Sequence, residues 1–79
     1  VQGETDSAYR WYEQHRAGLG TAFLDEVQAT LGVITANPAR FGFAHRDIRE
    51  GMLTRFPYTI YYRVLADRIR ILAVVHTSR

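Results

Sequence analysis

Six residues in the C-terminal half of this 79-residue chain have side chains suited to binding an anion or moving a proton. They are Arg49, Arg55, Arg63, Arg70, His76 and Arg79. The planar guanidinium of arginine fits carboxylate and phosphate alike, and histidine can exchange a proton near neutral pH. In the alternative interpretation, the arginines are solvated charges on strand edges, where they discourage edge-to-edge aggregation, and the histidine is a hydrogen-bonded structural residue. The residue types therefore leave both readings open.

The charge of the chain is unevenly distributed. Residues 1–37 carry five acidic residues and two arginines, a net charge of −3, whereas residues 38–79 carry three acidic residues and eight arginines, a net charge of +5. Every one of the ten Lys or Arg positions is an arginine. Because arginine pairs with carboxylates and phosphates, this polarity predicts an anionic partner for the C-terminal half without identifying it.

Other classes of site are disfavoured. The chain has no cysteine, so disulfides and thiolate metal sites are excluded. Its histidines and carboxylates show no metal-ligand spacing, and no phosphate loop or nucleophile motif occurs, so neither a metal nor a cofactor is expected. No apolar run approaches the roughly 20 residues of a membrane span, and we expect a cytoplasmic protein without membrane contact.

Two helices followed by strands must position the candidate residues. Asp6 is a suitable N-cap for a helix to about His15, and Gly18-Leu19-Gly20 allows a reversal. Thr21 can cap a second helix, which Asn37-Pro38 ends and whose apolar residues form one stripe: Phe23, Leu24, Val27, Leu31 and Ile34. Strands are predicted over 48–55, 58–65 and 68–76, with a loop over 40–46. The sequence predicts one α+β domain over 1–79, with two layers: an antiparallel helical hairpin packed on a three-stranded antiparallel meander. Residues 1–5 are predicted to be disordered or the remnant of a first strand.

The last two strands predict their own register. Pairing across Ala66-Asp67 sets Tyr62 opposite Ile71 and Arg63 opposite Arg70, and it gives one face that is wholly apolar or aromatic. Continued without interruption, the same register sets Tyr61 opposite Leu72 and Thr59 opposite Val74, on the face with the arginines. We expect that second face to be free of the helices.

A series of short motifs resembles a known family. In order they are Trp11-Tyr12-Glu13, Gly18-Leu19-Gly20, Phe23-Leu24, Asn37-Pro38, Ile48-Arg49, Phe56-Pro57-Tyr58, Tyr61-Tyr62-Arg63-Val64 and Ile71-Leu72-Ala73-Val74, continuing through His76 to Arg79. The chain resembles the RelE/ParE superfamily of bacterial type II toxins, also called plasmid stabilisation proteins, from about Ala8 to Arg79. Members usually have a strand before the first helix, and residues 1–5 are too short and polar to supply one. The resemblance implies a helical hairpin on an antiparallel sheet, and a ParD-like or RelB-like antitoxin that forms a hetero-oligomer with the toxin.

The resemblance leaves three functions open. The ending Val75-His76-Thr77-Ser78-Arg79 is closer to the ParE-like branch, whose target is DNA gyrase and which has no known hydrolytic site. We therefore favour a growth inhibitor that binds a macromolecular target and is not an enzyme. The first alternative is a RelE-like, ribosome-dependent mRNA endoribonuclease that uses Arg49, Arg63 and Arg79 at the phosphate and His76 for proton transfer. The second alternative is a decayed relative without toxicity.

The partner-binding surface is predicted to combine cations with exposed apolar side chains. Its residues are Arg49, Arg55, Tyr61, Arg63, Arg70, Leu72 and Val74. An antitoxin segment with acidic and apolar side chains would suit such a surface. The competing interpretation is that another segment of the chain covers the apolar patch.

Overall fold

A computed structural model describes residues 2–77 of the chain, and the side chains of residues 5–77. Two helices precede four strands. The elements are α1 (Gln2–His15), α2 (Leu19–Ala36), β1 (Phe43–His45), β2 (Ile48–Met52), β3 (Tyr58–Val64) and β4 (Ile69–His76). No helix within residues 2–77 combines the length and the apolar character needed to cross a lipid bilayer.

The two helices form the predicted hairpin, and a carboxylate of α1 caps α2. The reversal uses Gly18, whose φ of 88° lies in the left-handed region. Glu13 Oε1 accepts hydrogen bonds from the backbone N–H groups of Gly20 (2.8 Å) and Thr21 (3.3 Å), which are otherwise unpaired at the start of α2. A Cβ on Gly20 would lie 2.6 Å from the carbonyl oxygen of Tyr9, so only glycine allows this close helix contact.

The four strands form one antiparallel sheet in the order β1-β2-β3-β4. The predicted register is confirmed at the turn between β3 and β4, where Arg63 pairs with Arg70 and Tyr62 with Ile71. A β-bulge then leaves Leu72 as the additional residue, so that Tyr61 pairs with Ala73 and Ile60 with Val74. Beyond the bulge, every β4 side chain has therefore changed face relative to the prediction.

The core lies between the helices and one face of the sheet. Phe23 and Ile34 of α2 pack with Ile60 and Tyr62 of β3, and all four side chains are at most 1% exposed. A Cβ on Gly51 of β2 would point at Ile34, which places α2 directly over this part of the sheet. Tyr62 reaches across the core and donates its hydroxyl hydrogen to the carbonyl oxygen of Pro38 (2.7 Å).

The α+β, two-layer prediction is confirmed, with three differences in detail. First, α1 begins at Gln2, so Asp6 lies inside the helix and the disordered or strand-remnant prediction is wrong for residues 2–5; Val1 lies outside the described residues. Second, α2 begins at Leu19 because Glu13, not Thr21, provides the cap. Third, the predicted loop over 40–46 contains the short strand β1, which makes the meander four-stranded.

Candidate functional site

The face of the sheet that points away from the helices, called the outer face below, carries a row of charges at one end. Arg63 and Arg70 are direct cross-strand partners there, and Ile48 pairs with Arg63 on its other side. Arg63 Nε lies 3.1 Å from Asp47 Oδ2. The geometry does not meet that of a hydrogen bond, so the contact is an ion pair only. Two guanidinium groups thus lie on the same face of the sheet, and the one nearby carboxylate, that of Asp47, contacts only Arg63, which favours a partner with additional negative charge.

Apolar side chains continue the outer face beyond this row. Tyr61 pairs with Glu50 and Ala73, and the next rung joins Thr59 to Met52 and Val75. Met52 is 51% exposed, whereas Tyr61, Ala73 and Val75 are half-buried. Thr59 is buried, and its hydroxyl lies 3.0 Å from that of Thr77. The outer face therefore offers apolar area next to cations, the combination expected of a partner site.

Val74 is a correction to the predicted partner-binding set. It was expected beside Tyr61 on the outer face, but it pairs with Ile60 and is 3% exposed in the core. The cause is the bulge at Leu72, which inserts one residue into β4 and reverses the alternation after it. Leu72 itself is half-buried at the bulge. Ala73 and Val75 take the positions on the outer face that the uninterrupted register gave to Leu72 and Val74.

Arg49 lies apart from Arg63 and Arg70. It pairs with Tyr62 on the helix side of the sheet, the face opposite Arg63. Its Nη1 donates a hydrogen bond to the carbonyl oxygen of Phe41, and its guanidinium carbon lies 4.0 Å from the ring centre of Phe43. Burial raises the pKa of the Tyr62 hydroxyl, and the charge of Arg49 opposes that effect.

Arg55 lies at the other end of the sheet, in the loop between β2 and β3. Its backbone N–H donates to Glu26 Oε1 (3.1 Å), and the backbone N–H of Thr54 donates to Glu26 Oε2 (2.7 Å). Burial alone raises the pKa of Glu26, but the hydrogen bonds from Thr54 and Arg55 with the charge of Arg55 outweigh it, so the pKa lies below its ordinary value. Glu26 therefore binds this loop to α2, and Arg55 does not join the charged row.

His76 lies on the helix side of the sheet, at the end of β4. It pairs with Tyr58, and the two rings make an edge contact with centres 5.1 Å apart. Trp11 and Tyr12 of α1 line the same cleft, whose volume is about 350 Å³. Arg79 lies outside the described residues, and the structure gives no account of it.

Of the residues of the alternative ribonuclease site, the structure describes Arg49, Arg63 and His76, and it does not bring these three together. Arg63 is on the outer face, whereas Arg49 and His76 are on the helix side. Along β3 the pair Arg63–Arg70 is five residues from the pair Tyr58–His76. At about 3.3 Å per residue the separation is about 17 Å. A proton donor and a phosphate-binding arginine must both reach one phosphate, within hydrogen-bond distance of it. Among the described residues, no group of three or more histidine or acidic side chains could hold a metal ion either.

Sequence reasoning missed three contributors to the outer face, Asp47, Ala73 and Val75. Asp47 was in none of the candidate sets, but the turn between β1 and β2 places it beside Arg63. The pairing of Ile48 with Arg63 would have placed the neighbouring Asp47 beside Arg63. That pairing becomes visible only after β2 and β3 have been aligned. The positions of Ala73 and Val75 depend on the bulge in β4, for which the uniformly apolar residues 71–75 give no signal.

A comparison with protein families agrees with this architecture. The family described as ParE toxin of type II toxin-antitoxin system, parDE, matches residues 1–79. No curated protein matches the chain at a significant level. The match spans the whole chain, and so covers both the helical hairpin and the sheet. The chain belongs to the ParE toxin family of type II toxin–antitoxin systems.

Proposed function

We propose that this ParE-family toxin inhibits bacterial growth by binding DNA gyrase without hydrolysing a substrate, and that a cognate antitoxin neutralises it by covering the outer face. Family membership implies the antitoxin partner. The observation that carries the non-hydrolytic mechanism is the separation of His76 from Arg63 and Arg70, on opposite faces and about 17 Å apart along the strands. The choice of gyrase rests on the ParE-like character of the chain.

The outer face supports binding of an acidic, partly apolar antitoxin segment. Arg63 and Arg70 are adjacent like charges, and a carboxylate placed between them would gain two charge-assisted contacts and relieve their repulsion. Tyr61, Ala73 and Val75 next to them supply apolar area, and Tyr61 is an amphipathic ring of the kind enriched at protein interfaces. One segment could satisfy both parts because they share the same two strands.

The target is tested by expressing the chain without antitoxin and following DNA supercoiling and translation in the same culture. The proposal predicts that supercoiling fails first and that purified toxin inhibits gyrase in vitro. His76→Ala should leave this inhibition unchanged, because the histidine lies away from the outer face. Early loss of translation with cleaved mRNA, abolished by His76→Ala, would contradict the proposal. Normal growth with abundant folded toxin would contradict it as well.

Neutralisation is tested by co-elution of toxin and antitoxin. Tyr61→Asp puts a negative charge and a smaller side chain in the middle of the outer face, and we expect it to abolish the complex. The matched control Gln14→Asp adds the same charge to an exposed position on α1 and should leave the complex intact. An intact complex of the Tyr61→Asp variant would place the antitoxin elsewhere.

A further inference from the structure

We propose that Phe43 and the arginines Arg40, Arg46 and Arg49 form a contact site for single-stranded nucleic acid, called the Phe43 site. It is built on β1 and the turn to β2. Phe43 pairs with Arg49, whose own partner is Tyr62, so the site lies on the helix side of the sheet and not on the outer face. The proposal does not depend on gyrase being the target.

The ring of Phe43 is held open to solvent. Phe43 is 58% exposed in strand β1, at a position that a small or polar side chain could also occupy. A single exposed apolar residue is common on protein surfaces and by itself indicates nothing. The arginine beneath this ring is what distinguishes it.

Arg49 stacks on Phe43 and is fixed in place. Its guanidinium carbon lies 4.0 Å from the ring centre, and its Nη1 donates to the carbonyl oxygen of Phe41. Phe41 is itself packed edge-on against the buried ring of Tyr62, with centres 6.4 Å apart. One face of the Phe43 ring therefore carries a positioned cation, and the exposed remainder of the ring is available to a planar group.

The positive charge of the Phe43 site is not neutralised within the described part of the chain. Among the described side chains, those of residues 5–77, the ion pairs are Arg55–Glu26, Arg63–Asp47 and Arg68–Asp67. Arg40, Arg46 and Arg49 are in none of them. Asp47, the one acidic residue between positions 40 and 49, is engaged by Arg63. Three cations thus lie within ten residues of sequence around Phe43, and Arg49 is the one that contacts its ring.

Arg46, in the turn between β1 and β2, adopts a backbone conformation that disfavours a residue with a side chain. Its φ is 53°, in the left-handed region, where a residue with a Cβ costs roughly 1–2 kcal/mol more than glycine. Glycine or asparagine would suit the tip of this hairpin better. An arginine in a disfavoured backbone conformation is the kind of local strain that accompanies functional positions.

Nucleic acid explains all four residues better than an acidic peptide does. A carboxylate-rich peptide would pair with the three arginines but would leave the exposed ring of Phe43 without a partner. A single strand offers phosphates to the cations and an unstacked base to the ring. A duplex keeps its bases stacked, so it should bind the Phe43 site more weakly than a single strand.

The experiment measures fluorescence anisotropy of a labelled 12-nucleotide oligo-dT with the full purified chain. Phe43→Ala should weaken binding roughly 5- to 100-fold, and Phe43→Tyr should preserve it, since stacking needs only an aromatic face. Arg46→Gly should reduce the log–log salt slope by about 0.7, the value for one phosphate contact on a single strand. Its melting temperature should not fall, because glycine fits the backbone at this position.

Two matched controls separate the site from general charge and hydrophobicity. Trp11→Ala removes an aromatic residue that is 54% exposed on α1, and Arg68→Ala removes an exposed arginine at the β3–β4 turn. Both should bind oligo-dT like the unaltered chain. Equal affinity of Phe43→Ala and the unaltered chain would overturn the proposal. Binding of poly-glutamate as tightly as oligo-dT would also overturn it, because the site would then be a general anion surface.

Discussion

Replacing Arg70 by glutamate should stabilise the toxin and weaken the proposed antitoxin complex. Arg70 lies directly opposite Arg63 on the outer face, so two like charges face each other across neighbouring strands. Arg70→Glu converts that pair into one of opposite sign. If the outer face binds a partner, a substitution that raises the stability of the free toxin should lower its affinity for the antitoxin. Such a trade-off between stability and binding is expected of a binding surface.

The magnitude follows from the geometry of the pair. Cross-strand charge pairs contribute roughly 0.2–1 kcal/mol, with like charges unfavourable and opposite charges favourable. Arg63 already has Asp47 at 3.1 Å and is 39% exposed, so the gain is reduced by sharing and by solvent. We expect an increase of about 0.5–1 kcal/mol in the free energy of unfolding. For a domain of this size that corresponds to a rise of roughly 2–8 °C in melting temperature.

The assay is thermal unfolding of the free toxin at low and high salt. The gain should largely disappear in 1 M salt, where the screening length is about 3 Å. Arg70→Gln should give a smaller gain, because it removes the repulsion without adding attraction. Arg68→Glu is the matched control and should give none, since Arg68 lies near Asp67 and the new carboxylate would repel it. In the same preparations, Arg70→Glu should weaken antitoxin binding by roughly tenfold or more.

Two results would refute this reasoning. An Arg70→Glu variant less stable than Arg70→Gln at low salt would mean that Arg63 and Arg70 do not face each other. Unchanged antitoxin affinity, with the stability gain present, would mean that the charged row is not part of the interface.

Two further predictions concern the contacts that hold the scaffold. Gly20→Ala should destabilise the toxin by about 1–3 kcal/mol in chemical unfolding, because the new Cβ would lie 2.6 Å from the carbonyl oxygen of Tyr9; a loss within 0.5 kcal/mol would contradict the close helix contact. Glu26→Gln should cost about 1–2 kcal/mol at pH 7. Because the folded-state pKa of Glu26 is lowered below its ordinary value, that contribution is fully present above the unfolded-state pKa and is lost as the pH falls through the folded-state pKa. The free-energy difference between the unaltered chain and Glu26→Gln should therefore shrink towards pH 3, while the exposed neighbour Asp25→Asn changes stability little; a difference independent of pH would contradict the role of the carboxylate.

Local patterns were sufficient to predict the layers and part of the register. The apolar spacing of Phe23, Val27 and Ile34 identified the buried stripe of α2, and the alternation of Tyr62 and Ile71 identified the core face near the β3–β4 turn. These signals are local, because each depends on residues of one helix or one hairpin.

The remaining features depend on contacts that span the chain. The bulge at Leu72 is invisible because residues 71–75 are all apolar and fit either face. Arg49 was grouped with Arg63, and only the alignment of β2 with β3 shows that they lie on opposite faces. Glu13 could not be recognised as the cap of α2, since its carboxylate lies seven residues before Gly20, whose backbone N–H donates to it.

The most direct test of the account is site-specific photo-crosslinking between toxin and antitoxin. The crosslinker p-benzoylphenylalanine replaces Tyr61 on the outer face in one preparation and the exposed Trp11 on α1 in another. We expect an adduct with the antitoxin from position 61 and none from position 11. An adduct from position 11 with none from position 61 would contradict the claim that the helix-free face of the sheet is the antitoxin surface.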